Sequence, residues 1–371
     1  MPTSKPAVIT PRAFLLGTLV SLLIGVGVIY GDNVVRGSRM AQDFGSPVAL
    51  FILFILVAFL NPLLGWLRRS WYLSVAEITL VYIMALTAAT IPSMGLTAFF
   101  IPYLSGAQYY ARPENRWSDL FDDSNEVMSY RAAVLAVLGG GRFMLWWLCQ
   151  TGMSLWVAVL MLFMAFVIFL GLTRMVTEGG FFITRAPMNP GNFMVSGFGV
   201  HNLGLANVTA LGYTFVWTGE LRIFVMAACA NALKLADQHI RTNRRILLGA
   251  MLVAIIVSVV ASIWTQLALG YQYGAINLSG FFRGLVHYPF NFTSRNLLNP
   301  AGPVWEGWIW TAYGGALMGV LMWLKQRFLW WPIHPMSLPI SSMWMTDAIM
   351  LSVFISWLIK GNILKYGGSS L

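Results

Sequence analysis

From Pro47 to Leu67 no charged residue interrupts a run of almost entirely apolar side chains. About 20 such residues, coiled as a helix, cover the hydrocarbon core of a bilayer. Comparable runs recur at Ala13–Tyr30, Val75–Leu104, Phe143–Leu172, Ile246–Tyr271, Trp305–Leu324 and Leu338–Ile359, which makes seven clear spans. Val200–Trp217 and Leu221–Leu235 are shorter and more polar, and read either as two crossings or as a re-entrant pair. None of these runs alternates with the period of two that transmembrane strands need. Only 10% of the residues are charged, against roughly 25% in a soluble domain. Water therefore cannot be the solvent on every side. The expected fold is all-α, a polytopic integral membrane helix bundle. It forms one transmembrane domain over residues 1–371, with a cap loop at 105–141 and a longer outer loop at 272–304.

The net charge of +10 is distributed as a membrane protein distributes it. Lys5 and Arg12, Arg68 and Arg69, Arg174 and Arg185, Arg241 with Arg244 and Arg245, and Lys325 with Arg327 all flank apolar runs. The loop 105–141 carries Glu114, Asp119, Asp122, Asp123 and Glu126 instead. Cytoplasmic loops are the ones rich in Lys and Arg, so the N-terminus and the arginine loops are expected inside and the acidic loop outside. This distribution argues against a nucleic-acid partner. The partner that every run implies is the lipid bilayer. The first run is too long for the apolar part of a signal peptide, and no small-residue cleavage site follows it, so it is expected to persist as the first helix.

Several residues have readable local roles. Ser74-Val75-Ala76-Glu77 fits a capping box, in which Ser74 and Glu77 satisfy each other's first-turn amides. Pro92 falls inside the third run and should kink it. Gly17, Ser21 and Gly25, like Gly315 and Gly319, place small residues four apart, which lets helices approach closely in lipid. Trp146-Trp147 and Trp330-Trp331 suit the membrane interface. Asn231–Arg245 is basic and amphipathic, as a helix leaving the bilayer among anionic headgroups would be. Cys149 and Cys229 are isolated and read as small buried hydrophobes.

Catalytic signatures are harder to find. The chain has no phosphate-binding glycine-lysine loop, no pair of histidines on one helix turn with a glutamate, and no cysteine pair. No enzyme activity, metal or cofactor is expected. Polar groups inside apolar sequence are costly and tend to face a cavity, and they mark the candidate pathway. Asp347 either N-caps a last helix or holds a coupling cation. Glu178 sits where the fourth run leaves the membrane, and solvent exposure is its plainer role. Asn189-Pro190-Gly191-Asn192, followed by His201-Asn202, breaks helical sequence with polar residues. Broken backbone at depth must line a cavity or be buried in protein. Asn189, Asn192, His201, Asn202 and Asp347 are thus expected to converge on one polar cavity.

Specific strings carry a resemblance. Asn61-Pro62-Leu63-Leu64, Leu73 to Glu77, Arg112-Pro113-Glu114-Asn115-Arg116-Trp117, Ala232 to Asp237, Tyr273 to Leu278, Trp330-Trp331-Pro332-Ile333-His334-Pro335 and Lys365-Tyr366-Gly367-Gly368 together resemble a family of bacterial polytopic membrane proteins of unknown function. That family is distantly similar to the oligopeptide transporter superfamily, through the helix from Glu77 to Thr97 and the segment from Pro335-Met336 to Trp357. The resemblance implies a permease for a small solute in the bacterial inner membrane, with a coupling cation. The alternative is a non-catalytic structural subunit that holds other membrane proteins in a larger complex.

Overall fold

A computed structural model describes residues 10–42, 45–92, 97, 140–179, 186, 188–219, 224–239, 244–328, 330–341 and 350–360. Among these residues every regular element is helical. Four helices are long and apolar enough to cross a membrane: Pro11–Val35, Pro47–Leu67, Leu155–Thr177 and Ile246–Tyr273. In chain order the helices are α1 (Pro11–Tyr30, continued by a wider turn to Val35), α2 (Pro47–Leu67), α3 (Val75–Ala88), α4 (Gly140–Gln150), α5 (Leu155–Gly179) and α6 (Pro190–Phe198). Then come α7 (Val200–Leu203), α8 (Leu205–Tyr213), α9 (Phe215–Thr218), α10 (Val225–His239), α11 (Arg244–Tyr273), α12 (Gly280–Leu298), α13 (Trp305–Arg327), α14 (Ser337–Ser341) and α15 (Met350–Lys360).

Several expected spans are divided. The first helix of the third run ends at Ala88 and turns through Ala89–Pro92, and Thr97 beyond it is again helical. The fourth is two helices, α4 and α5, separated by a turn in which Gly152 takes a φ of +84°. Val200–Trp217 is three short helices separated at Gly204 and Thr214, and the helix after it is α10, not Leu221–Leu235. The last run shows two helical pieces, α14 and α15, with residues 342–349 outside the description. The expected outer loop 272–304 is mostly helix: α12 fills it, Pro289 included. The cap loop 105–141 lies outside the described residues except for Gly140 and Gly141.

Parallel packing of α1, α3 and α11 forms the first core. Glu77 of α3 meets Arg12 at the start of α1, and Ser258 and Ala261 of α11 meet Gly25 later in α1. A Cβ at Gly25 would lie 2.8 Å from the Ala261 methyl, so only glycine lets these helices come so close. Leu80, Ile83, Met84 and Ile24 are fully buried here. A second core joins α4, α5, α6 and α8 around Leu148, Val157, Met161, Met194 and Leu211. Helix α10 touches both α3 and α5 and so bridges the two cores.

The start of α3 is fixed by a charge cluster. Ser74 Oγ accepts from the Glu77 amide at 3.3 Å, and Glu77 Oε2 accepts from the Ser74 amide at 2.8 Å. The Glu77 carboxylate also receives Arg12 Nε at 2.6 Å, Arg12 Nη2 at 2.8 Å and the Thr10 hydroxyl. Arg12 donates further to the carbonyls of Ser70 and Tyr72. One guanidinium thus ties α1, the turn 69–72 and α3 together. The Glu77 side chain is 2% exposed and that of Arg12 44%. Removing one partner of a fully buried pair costs about 3–5 kcal/mol, and the exposure of Arg12 reduces this. Arg12→Ala should therefore lower stability by about 2–3 kcal/mol, against about 1 kcal/mol for Ser74→Ala, which loses a cap alone. Thermal unfolding in detergent checks the order. Equal losses for the two variants would mean that the ion pair adds nothing beyond the cap.

Candidate functional site

In an α-helix the amide of residue 92 would bond the carbonyl of residue 88. Pro92 has no amide proton to give. The Ala88 carbonyl instead receives a tight-turn bond from the Ile91 amide, 3.2 Å, and a bond from the Ser258 hydroxyl of α11, 2.8 Å. Thr90 Oγ1 donates to the Thr87 carbonyl at 2.7 Å, and Thr97 Oγ1 to the Ile91 carbonyl at 3.0 Å. Three hydroxyls therefore serve the carbonyl end of a helix that stops inside the protein. Thr87, Thr90, Thr97 and Ser258 are all buried.

The depth of this break follows from the helix beside it. Ser258 is the fifteenth of the 30 residues of α11, so the break stands at the midpoint of a helix long enough to span. Gln266 lies two turns further along α11, is 2% exposed, and its Oε1 has no hydrogen-bond partner.

A second helix begins inside the protein, at Asn189. Helix α10 packs against α5, and its Lys234 reaches the carbonyl of Thr177 near the end of α5. Helix α6 then runs against α5. The Phe198 ring at its end stacks edge-on against Trp156 in the first turn of α5, with centroids 5.9 Å apart. Counting back along α6 puts Asn189 nine residues, roughly 13 Å, from the Phe198–Trp156 contact. Gly25, beside Ser258, is about ten residues and 15 Å below the end of α1 at Val35. Asn189 is 8% exposed, and its Oδ1 caps the Asn192 amide at 2.8 Å. Pro190 occupies the first helical position, where its missing amide costs nothing. The Phe215 ring covers Gly191. One helix thus presents carbonyls, and another amides, inside the protein.

The far end of α6 is closed differently. Gly199 adopts φ +77°, and a Cβ there would lie 2.6 Å from the Pro303 nitrogen. The string 299–304 lies against this glycine. The Val304 amide bonds the Ser196 carbonyl at 2.8 Å, the Val200 amide bonds that of Ala301 at 2.9 Å, and Trp308 Nε1 bonds that of Gly197 at 2.9 Å. His201 and Asn202 are exposed in the four-residue α7 just beyond, where Asn202 donates to the Phe198 carbonyl. Asn189 and Asn192 are therefore separated from His201 and Asn202 by the length of α6, about 13 Å, and the expected single cavity does not bring these two pairs together. Asn207, in contrast, is tied in: its Oδ1 accepts from the Ser154 amide at 2.7 Å and hydroxyl at 3.1 Å, closing the α4–α5 turn. Glu178 is in the last turn of α5, with its side chain outside the described residues, and Asp347 lies outside them altogether.

A family model matches residues 3–124 and 121–371, practically the whole chain. The chain belongs to DUF6785, a family of unknown function. Neither a curated protein nor a solved structure matches it. The whole of the broken-helix region, from Glu77 through Ser258 to Asn189, thus lies within the span that defines DUF6785.

Sequence reading missed Arg12 as the partner of Glu77, and missed Thr87, Thr90, Ser258 and Gln266. Serine and threonine barely disturb a hydropathy window, so they do not announce themselves. The signal that was present is Pro92, whose missing amide implies that a donor must reach residue 88 from elsewhere. Ser258→Ala should lower stability by about 1 kcal/mol. In a Pro92→Ala background, where residue 92 regains its amide, the same change should cost less than half as much. A double-mutant cycle read by thermal unfolding checks this, and equal losses in both backgrounds would show that Ser258 does not compensate for the proline.

Proposed function

We propose that the chain is a permease that carries a small solute across the membrane, on a plan similar to that of oligopeptide transporters. The observation that supports this most directly is the pair of helix ends inside the protein. Transporters bind near the midplane, where discontinuous helices aim their amide ends at anionic groups and their carbonyl ends at cations. The Asn189-capped start of α6 and the hydroxyl-lined end of α3 match this pairing in polarity. In this reading the chain crosses the bacterial inner membrane with its N-terminus in the cytoplasm, uses all seven apolar runs, and couples transport to a cation that interacts with the carbonyl end of α3. Asp347 remains the carboxylate proposed for that coupling.

A second reading is supported by the periphery. The α2 span is only 17% buried across its most apolar window, and every residue of α15 is exposed. A structural subunit would cover such faces with other membrane proteins.

Purified full-length chain in proteoliposomes, given radiolabelled di- and tripeptides and an inward proton gradient, separates the two. Gradient-dependent accumulation above protein-free vesicles, abolished by a protonophore, is expected. Accumulation no greater than in empty vesicles, together with stoichiometric co-purification of other membrane proteins under mild detergent, would replace the permease with the subunit.

A further inference from the structure

Among its described residues, helix α11 buries four polar side chains: Ser258, Ser262, Thr265 and Gln266. Three of them place their proton on a backbone carbonyl. Ser258 donates to Ala88 of α3 at 2.8 Å, Ser262 to Gly25 of α1 at 3.4 Å, and Thr265 to Ala261 of its own helix at 2.7 Å. Gln266 differs. It is 2% exposed, and its Oε1 has no hydrogen-bond partner. Trp264 and Leu267 beside it along the helix are exposed, so the outer side of this turn is apolar and the amide lies on the inner side.

Gln266 stands seven residues, about 10 Å, before the end of α11 at Tyr273, within the apolar span Ile246–Tyr273. A polar group there has no bulk water to turn to, so leaving it unpaired is costly, and residues that carry such a cost mark binding sites and pathways. An amide oxygen can only accept. The three hydroxyls along the same helix have committed their protons, and the end of α3 beside Ser258 presents carbonyls, which accept as well. Among the described residues this stretch of α11 is thus rich in acceptors and short of donors. A group that complements it carries several N–H donors and a positive charge, as a primary ammonium does.

From this unpaired amide we infer that Gln266 is a solute-binding residue, its Oε1 accepting from the ammonium group of a primary amine. The inference rests on the permease reading and narrows its solute to molecules with a free amino group, unblocked peptides among them. A site built from amide, hydroxyl and carbonyl oxygens holds such a group by hydrogen bonds and dipoles, with no carboxylate from α11.

The test uses the purified full chain in detergent. Thermal unfolding is read with no addition, with alanyl-alanine, with N-acetyl-alanyl-alanine, which lacks the ammonium, and with sodium chloride against choline chloride. With no addition, Gln266→Met should raise the Tm by a few degrees, because an apolar chain of similar size replaces an amide that has no partner. Alanyl-alanine should raise the Tm of the wild type and not that of Gln266→Met, and the acetylated form should shift neither. A Tm lowered by Gln266→Met would mean that water or protein already pairs the amide, and would overturn the inference. So would a sodium shift that the variant loses, which assigns Oε1 to a metal ion, and so would an alanyl-alanine shift that is absent or equal in both proteins. Uptake in proteoliposomes reads the permease separately: dipeptide accumulation that survives Gln266→Met sinks the ammonium contact alone, whereas no accumulation in the wild type removes the permease itself.

Discussion

A carbonyl stranded in hydrocarbon has no water to turn to, and leaving it unpaired costs several kcal/mol. That constraint decides what can lie next to Pro92. The proline withholds the amide that would have closed the next turn of α3, so the helix stops at Ala88, and a hydroxyl from α11 takes up part of the bonding. Ser258 brings the middle of α11 against the end of α3, and the Arg12–Glu77 and Gly25–Ala261 contacts set the three helices in one direction. Gly25 then has to be a glycine for α1 to fit against both. The parallel arrangement of three helices thus rests on contacts at both ends of α3, of which the missing N–H of Pro92 accounts for the one at Ala88.

The other end of α3 obeys the complementary rule. Its first-turn amides and the positive end of its dipole favour a carboxylate, and Glu77 supplies one from within the helix. A carboxylate so nearly buried needs compensation, which Arg12, Thr10 and the Ser74 amide provide. Helix α3 is therefore anchored by charge at one end and met by hydroxyls at the other, with Leu80, Ile83 and Met84 sealed between. Helix α6 repeats the pattern in the opposite sense on the other side of α10, with an asparagine cap at depth and a glycine-closed end near the surface. Elements fixed at both termini in this way can hold a helix end in place without a span continuing through it.

The membrane class, the helical fold and the capping box at Ser74 and Glu77 could be read from the residues themselves, because apolar length and local spacing determine them. Where the helices break could be read only in part. Pro92 and Asn189-Pro190 announced their breaks, but the window that made Phe143–Leu172 one span averaged over Thr151–Ser154, where the turn is made by Gly152 and closed by Asn207 from fifty residues away. Helix α12 was hidden for a related reason: Asn, Ser, Arg and Pro289 give its sequence the look of a loop, and its helix is paid for by packing Tyr288 and Phe292 against Phe215 of α9. Long-range partners such as Arg12 with Glu77 or Ser258 with Ala88 leave no trace in local composition.

The central claim is that the carbonyl end of α3 and the amide end of α6 each lie at the middle of the bilayer. A cryo-electron microscopy map of the protein in lipid nanodiscs tests it most directly, because the two headgroup layers fix the position of the midplane. Ser258 and Asn189 should each fall within about one helical turn, roughly 5 Å, of that plane. Density that puts either residue at the level of the headgroups would contradict the claim, and with it the permease reading.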